Sequence, residues 1–282
     1  MSLDDERERL MYANVFSKFI DFLATSHILF TQSGKIEYIP LDGHNLKKNE
    51  AKTALHLPEK VVIGIAYDCV EKMIYWTDIS TPAISRANLQ GGEPVQLIKS
   101  DIGSPEGIAI DHLGRNMFWT DSMKDRIEVS SLDGTQRRVL VNTDLVNPRA
   151  ILTDSTNGYI YWADWNRESP KIEMAYMDGT NRRVLAKDDL SLPNGLTYDP
   201  QTSLLCWADA GTHKVECMNP QQGRRTQLME EIQYPFGLTT DGKNFYYTDW
   251  TRGDTIDVIR EGASLEAWEN YMDCRTQGAD LQ

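Results

Sequence analysis

The sequence predicts an all-β, six-bladed β-propeller, and three repeated motifs carry that prediction. An aromatic motif closing on Asp recurs as Tyr75-Trp-Thr-Asp78, Phe118-Trp-Thr-Asp121, Tyr161-Trp-Ala-Asp164, Cys206-Trp-Ala-Asp209 and Tyr246-Tyr-Thr-Asp249. The closing aspartates are 43, 43, 45 and 40 residues apart, and a weaker copy, Leu29-Phe-Thr-Gln32, lies 46 residues before Asp78. A second motif precedes each strong copy and ends at Asp68, Asp111, Asp154, Asp199 or Asp241, in the first four cases ten residues ahead of the motif Asp. A third, Leu132-Asp-Gly-Thr135 and Met177-Asp-Gly-Thr180, is trailed each time by Arg-Arg-Val-Leu.

Each repeat reads as about four strands. In the copy around Asp121, Gly107–Asp111 alternates small and apolar residues, Met117–Asp121 supplies aromatics, Asp125–Leu132 alternates again, and Arg137–Val141 makes a short outer strand. Asp-Gly, Asn-Gly and Asp-x-x-Gly segments lie between them, as hairpin turns require. Four antiparallel strands repeated at this period describe a propeller blade. A single blade cannot bury both faces, so neighbours must stack their Trp and Tyr side chains between them. The recurrent aspartates fall at strand ends and are read as acceptors tying turn amides together, a structural role that also covers the motif aromatics.

The ends fit the repeat less well. Apolar Met11, Val15, Phe19 and Leu23 recur every four positions, which predicts a short amphipathic helix lying against the domain. Met1–Leu10 mixes acidic and basic residues where a secretion signal needs an apolar core. The expected division is a helical or flexible extension over 1–25, the propeller over 26–250, and an atypical tail over 251–282 that completes or replaces part of the last blade. No inner strand of the Gly-apolar type precedes Leu29, so the closing blade is expected to be incomplete or the ring closed by improvisation, with Met11–Thr25 as the candidate segment. Across the 282 residues the formal charge is −13. That acidity disfavours nucleic acid, and no apolar run approaches the ~20 residues of a membrane span.

Several stretches resemble one family closely: Gly103–Asn116, Leu132–Leu140, Asp144–Arg149, Met177–Leu185 and Leu192–Leu196. They are similar to the YWTD propellers of low-density lipoprotein receptor class B repeats and, within that group, to the nidogens, from about Ser26 to Trp250. The resemblance implies a non-enzymatic extracellular module of basement membranes, with no cofactor, in a parent family whose EGF modules bind calcium. The implied partner is an EGF-like module of the laminin γ chain, whose Asp-x-Asn-x-Val loop docks at the mouth of the central channel; other basement-membrane proteins are further candidates. Carried over residue by residue, Asn194 would pair with the ligand asparagine, since one side-chain amide can exchange two hydrogen bonds with another. Arg149 would take the ligand aspartate through charge-assisted hydrogen bonds. Phe236, in Tyr234-Pro-Phe236, would close the channel like a shutter. Glu106 holds the analogous place, and Trp165 and Trp250 would stand exposed on the binding face. Asn194, Arg149, Phe236 and Glu106 occupy the same point of their repeats, so they converge near the axis.

Other motifs contribute less. Zinc spacing, a Gly-rich phosphate loop and GxSxG are absent from the sequence. Cys206 and Cys217 flank a hairpin and suit either a disulfide or two buried thiols, with geometry deciding. Cys69 and Cys274 are not assigned to each other. Arg252-Gly-Asp254 is a three-residue match of the kind that arises by chance. The rival reading is a Ca²⁺-dependent propeller hydrolase of the gluconolactonase or paraoxonase type, with Glu106 and Asn194 as two of several hard oxygen ligands. Another receptor-type YWTD ligand-binding propeller is the remaining alternative.

Overall fold

The computed structural model describes residues 16–20, 26–32, 34–42, 45–89, 92–252 and 256–260. They form six antiparallel sheets, each a blade. Blade 1 pairs Phe16–Ile20, Ser26–Gln32, Lys35–Asp42 and Lys52–His56, with the short strand Asn45–Leu46 added. Blades 2 to 5 each have four strands, with inner strands Val62–Asp68, Pro105–Asp111, Pro148–Asp154 and Pro193–Asp199. Blade 6 holds three strands among the described residues: Pro235–Thr240, Asn244–Asp249 and Ile256–Arg260.

The N-terminal helix expected over Met11–Leu23 gives way, where the chain is described, to the strand Phe16–Ile20. It pairs with Ser26–Gln32 from Phe16 opposite Phe30 to Ile20 opposite Ser26, and it lies against the inner strands of blades 2 and 6. Tertiary context overrides the four-residue period. Without this segment the Ser26–Gln32 strand would present a row of unpaired amides to the channel, and a strand satisfies them where a helix cannot. The ring is therefore closed by residues assigned from sequence to an extension. The remainder of 1–25, most of the 251–282 tail, the Gly253-Asp254 part of the RGD tripeptide and Cys274 lie outside the described residues.

Core packing follows the repeat. Successive hydrophobic clusters fill the spaces between blades 1 and 2, 2 and 3, 3 and 4, 4 and 5, 5 and 6, and finally 6 and 1, where Ile28, Phe30 and Ile39 meet Tyr246 and Ile256. Trp119, Trp162 and Trp207 are wholly buried. Each lies near an arginine at the start of the outer strand or just before it, in cation–π geometry: Arg137 at 5.4 Å, Arg182 at 5.4 Å and Arg225 at 5.2 Å. Arg182 also grips Glu173 with two hydrogen bonds, of 3.0 and 2.8 Å, and reaches back to the carbonyls of Thr143 and Asp144. The first Arg of each Arg-Arg-Val-Leu run is thus a clamp between the outer strand and the preceding loop, with Arg137 on Glu128, Ser100 and Asp101 doing the same.

The motif aspartates act as acceptors. Asp121 receives the amides of Gly103, Ser104, Met123 and Lys124, and Asp209 those of Ser191, Leu192, Gly211 and Thr212. One carboxylate thereby fastens the loop entering the inner strand to the turn leaving its neighbour. Cys206 and Cys217 stand directly opposite on adjacent strands of blade 5, with Cα atoms 4.0 Å apart, and are joined by a disulfide. Cys69 is disulfide-bonded as well.

Candidate binding site at the channel mouth

In blades 2 to 6 the inner strand breaks register with its neighbour just after its first residue, between Val62 and Ile65, Pro105 and Ile108, Pro148 and Ile151, Pro193 and Leu196, and Pro235 and Leu238. A bulge re-aims the side chain it carries. The residues so placed are Ile63, Glu106, Arg149, Asn194 and Phe236, and together they line one end of the channel. Four of the five were singled out from sequence. Ile63 was missed, although Val62-Ile-Gly64 aligns with Pro105-Glu-Gly107 and could have disclosed it.

The residue after each bulged side chain is Gly in four of these blades because the strands crowd at the axis. A Cβ on Gly64 would fall 2.3 Å from the Glu106 carbonyl oxygen, and one on Gly107 2.5 Å from that of Arg149. The motif threonines lock this approach. Thr77 Oγ1 accepts from the Gly64 amide at 2.7 Å and donates to the Glu106 carbonyl at 2.9 Å. Thr120 does the same for Gly107 at 2.9 Å and Arg149 at 2.6 Å. Each threonine therefore ties the bulge of its own blade to that of the next.

The side chains form a chain of contacts around the mouth. Arg149 Nη1 lies 2.9 Å from Glu106 Oε2, an ion pair whose angles fall short of a hydrogen bond. Glu106 Oε1 accepts from the Ser104 and Ser122 hydroxyls at 3.1 and 2.9 Å. The guanidinium carbon of Arg149 stands 4.1 Å from the centre of the Trp165 ring. Trp165 in turn donates its indole N–H to the Pro193 carbonyl at 2.8 Å. The expectation that Trp165 is an exposed contact is corrected here: only 8% of it is accessible. Arg149 covers the face of the ring and the indole N–H is spent within the protein, so Trp165 positions the arginine from beneath. Trp250 is half-buried and is sandwiched between Tyr234 at 5.1 Å and Phe236 at 4.8 Å, nearly parallel to both.

Asn194 donates its side-chain N–H to the Pro235 carbonyl at 2.8 Å. That leaves Oδ1 buried with no partner, while the donation to Pro235 spends one of the two N–H groups of this amide. Arg149 Nε and Trp250 Nε1 are also buried and unpaired. Buried polar groups are nearly always satisfied, and those that are not call for an explanation. At this mouth, two donors and one acceptor stand ready within a partly apolar ring.

Six antiparallel blades, with motif threonines bridging inner-strand bulges where they occur and motif aspartates fastening the flanking loops, define a propeller built from class B receptor repeats. Residues 72–112, 115–154 and 158–200 match the low-density lipoprotein receptor repeat class B. The chain is 67% identical to Nidogen-1 of Mus musculus over 257 residues, 91% of this chain and 21% of that protein. It is 44% identical to Nidogen of Drosophila melanogaster over 226 residues, 79% of this chain and 16% of that protein. It thus spans about a fifth of the length of these relatives. A crystal structure of a nidogen/laminin complex superposes with a TM-score of 0.81 at 61% identity, covering 83% of this chain and 89% of that one. A Xanthomonas campestris gluconolactonase superposes with a TM-score of 0.60 at 18% identity over 70% of this chain and 71% of that one, a likeness of fold alone. The chain belongs to the nidogen family.

Proposed function

We propose that this propeller is a non-enzymatic extracellular binding module that holds an EGF-like module of the laminin γ chain at its channel mouth, linking basement-membrane networks. The observation that carries the reading is the set of unpaired polar atoms at the channel mouth: Arg149 Nε and Asn194 Oδ1 in the ring of bulged residues, and Nε1 of Trp250, which stacks on Phe236. An entering loop with a carboxylate and a side-chain amide supplies an acceptor for the arginine and a donor for the asparagine. Charge-assisted bonds of this kind are the stronger ones, and a desolvated Arg flanked by aromatics is the usual make-up of a hot spot. The likeness to a chain of a nidogen/laminin complex supports the choice of partner. Disulfides at Cys69 and Cys206–Cys217 accord with an oxidising, extracellular setting.

The hydrolase reading loses its support at Glu106. The Arg149 guanidinium lies against that carboxylate, where the rival needs a divalent cation, and the other bulge positions are filled by Ile63 and Phe236. The test is direct binding of a laminin γ short-arm fragment to this chain. Arg149→Ala and Asn194→Ala are each expected to weaken it by about 30-fold or more. Unchanged affinity in both variants would move the site away from the channel mouth.

A further inference from the structure

Two loops from each blade ring the channel mouth. One follows the motif Asp and the other leads into the inner strand. Two residues beyond the motif Asp, blades 2 to 6 carry Ser80, Met123, Asn166, Gly211 and Thr251; two residues before the inner strand they carry Lys60, Gly103, Val146, Ser191 and Gln233. Apolar side chains occur at only two of these ten places, Met123 and Val146, and they are 63% and 48% exposed. They sit on adjacent blades whose loops touch, since the Asn147 amide donates to Asp125 at 2.8 Å. The inner strands of these two blades carry the Glu106–Arg149 pair of the mouth.

Met123 is held in place. Its amide donates to Asp121 at 3.2 Å, and a Cβ built on Gly103 would fall 2.9 Å from Met123 Cβ and 3.2 Å from Cγ, so the side chain lies across that glycine. The preceding residue, Ser122, donates to Glu106 at 2.9 Å. Met123 is also the one exposed methionine among the described residues; Met117, Met174 and Met218 are buried, and Met73, Met177 and Met229 partly so.

We propose that Met123 is a redox-sensitive contact of the binding face: its thioether packs against the laminin module together with Val146, and its oxidation to the sulfoxide weakens the complex. The inference rests on the laminin reading above and adds regulation to it. The oxidant is a hydroperoxide. The sulfur lone pair attacks the distal peroxide oxygen, the O–O bond breaks, an S–O bond forms, and the leaving oxygen takes the proton to become water or an alcohol; sulfur loses two electrons and the peroxide gains them. The product is a polar group where the partner needs an apolar one, and burying it unpaired is costly.

The experiment measures affinity for the laminin γ short-arm fragment before and after mild hydrogen peroxide, with peptide mapping of each methionine. In the wild-type chain, sulfoxide at Met123 is expected to weaken binding about tenfold or more, and methionine sulfoxide reductases to restore it. In Met123→Leu the affinity before and after peroxide is expected to be equal, whatever its starting level, and Met123→Gln is expected to bind like the oxidised protein. Bound fragment is expected to slow oxidation of Met123. Equal affinity of the oxidised and reduced wild type overturns the proposal while leaving laminin binding intact, as does an equal peroxide response in Met123→Leu. Failure of the reduced wild type to hold the fragment refutes the laminin reading itself, and this proposal with it.

Discussion

Replacing Thr120 by Val tests the bridging role of the threonine that precedes the motif aspartate in this blade. The two side chains have nearly the same shape, but Val leaves the Gly107 N–H and the Arg149 carbonyl without the hydroxyl that joins them at 2.9 and 2.6 Å. Thr120 is fully buried, so water does not take over. An unsatisfied buried backbone group costs about 1–3 kcal/mol, which for two groups gives roughly 2–6 kcal/mol. Set against a net stability of about 5–15 kcal/mol, that is a large fraction. In urea, with a slope near the upper end of about 1–3 kcal/mol per molar, the midpoint should fall by about 1 M or more at unchanged slope. Thr120→Ser keeps the hydroxyl and should lose less than half as much. A Val variant within 0.5 M of the wild type, taking that as roughly the resolution of such a titration, would refute the bridging role. So would a Ser variant as unstable as the Val one.

Further predictions follow from the same contacts. Arg182→Lys cannot reproduce the two-pronged grip on Glu173 or the flat contact with Trp162, so it should destabilise the chain by about 1–3 kcal/mol in chemical unfolding despite keeping the charge. Removing the 206–217 disulfide in the double Ala variant should cost about 3 kcal/mol, read as a lowered denaturation midpoint against the wild type under non-reducing conditions. Burial raises the Asp164 carboxyl to about 6, against backbone donation from Val146 that pulls it down. Because the folded state then holds this proton more tightly than the unfolded chain, its contribution to stability should decline as pH rises from about 4 to about 6. Unfolding titrations across that window should show a flatter pH dependence for Asp164→Asn than for the wild type; an identical slope would remove the assignment.

The ring of blades was legible because its causes are repeated: each motif aspartate caps the turn that follows it, and a Pro-x-Gly pattern marks the bulge in blades 3, 5 and 6. The bulged residues Glu106, Arg149, Asn194 and Phe236 share that register in the sequence. What a side chain meets from the next blade was not legible. Trp165 follows a motif aspartate just as Trp250 does, yet its indole N–H is spent on the Pro193 carbonyl of the next blade and its face is covered by Arg149 of its own. The Arg-Arg-Val-Leu runs were visible as a repeat, but their clamp on Glu128 or Glu173 and on the preceding loop depends on three segments meeting. The strand at Phe16–Ile20 was hidden for a similar reason. Its own period suggested a helix, and the demand for a strand came from the unpaired edge beside it and from its place between the inner strands of blades 2 and 6.

That strand makes the described part of this molecule a split ring. Every described strand of blade 1 comes from the front of the chain and every described strand of blade 6 from its back. No hydrogen-bonded sheet among the described residues therefore staples the two ends together across the join. Among the described residues the hold there comes from side-chain packing of Ile28, Phe30 and Ile39 against Tyr246 and Ile256, with the Lys48 ammonium donating to the Ile256 carbonyl. Blades elsewhere in the circle have a sequence-adjacent neighbour on each side, so separating them strains the connecting loop, whereas blades 1 and 6 have no such tether at their shared boundary. Phe236 of blade 6 packs with Ile63 of blade 2 at the mouth, on either side of blade 1, which gives a ligand gripping both of them the leverage of a clasp on a bracelet.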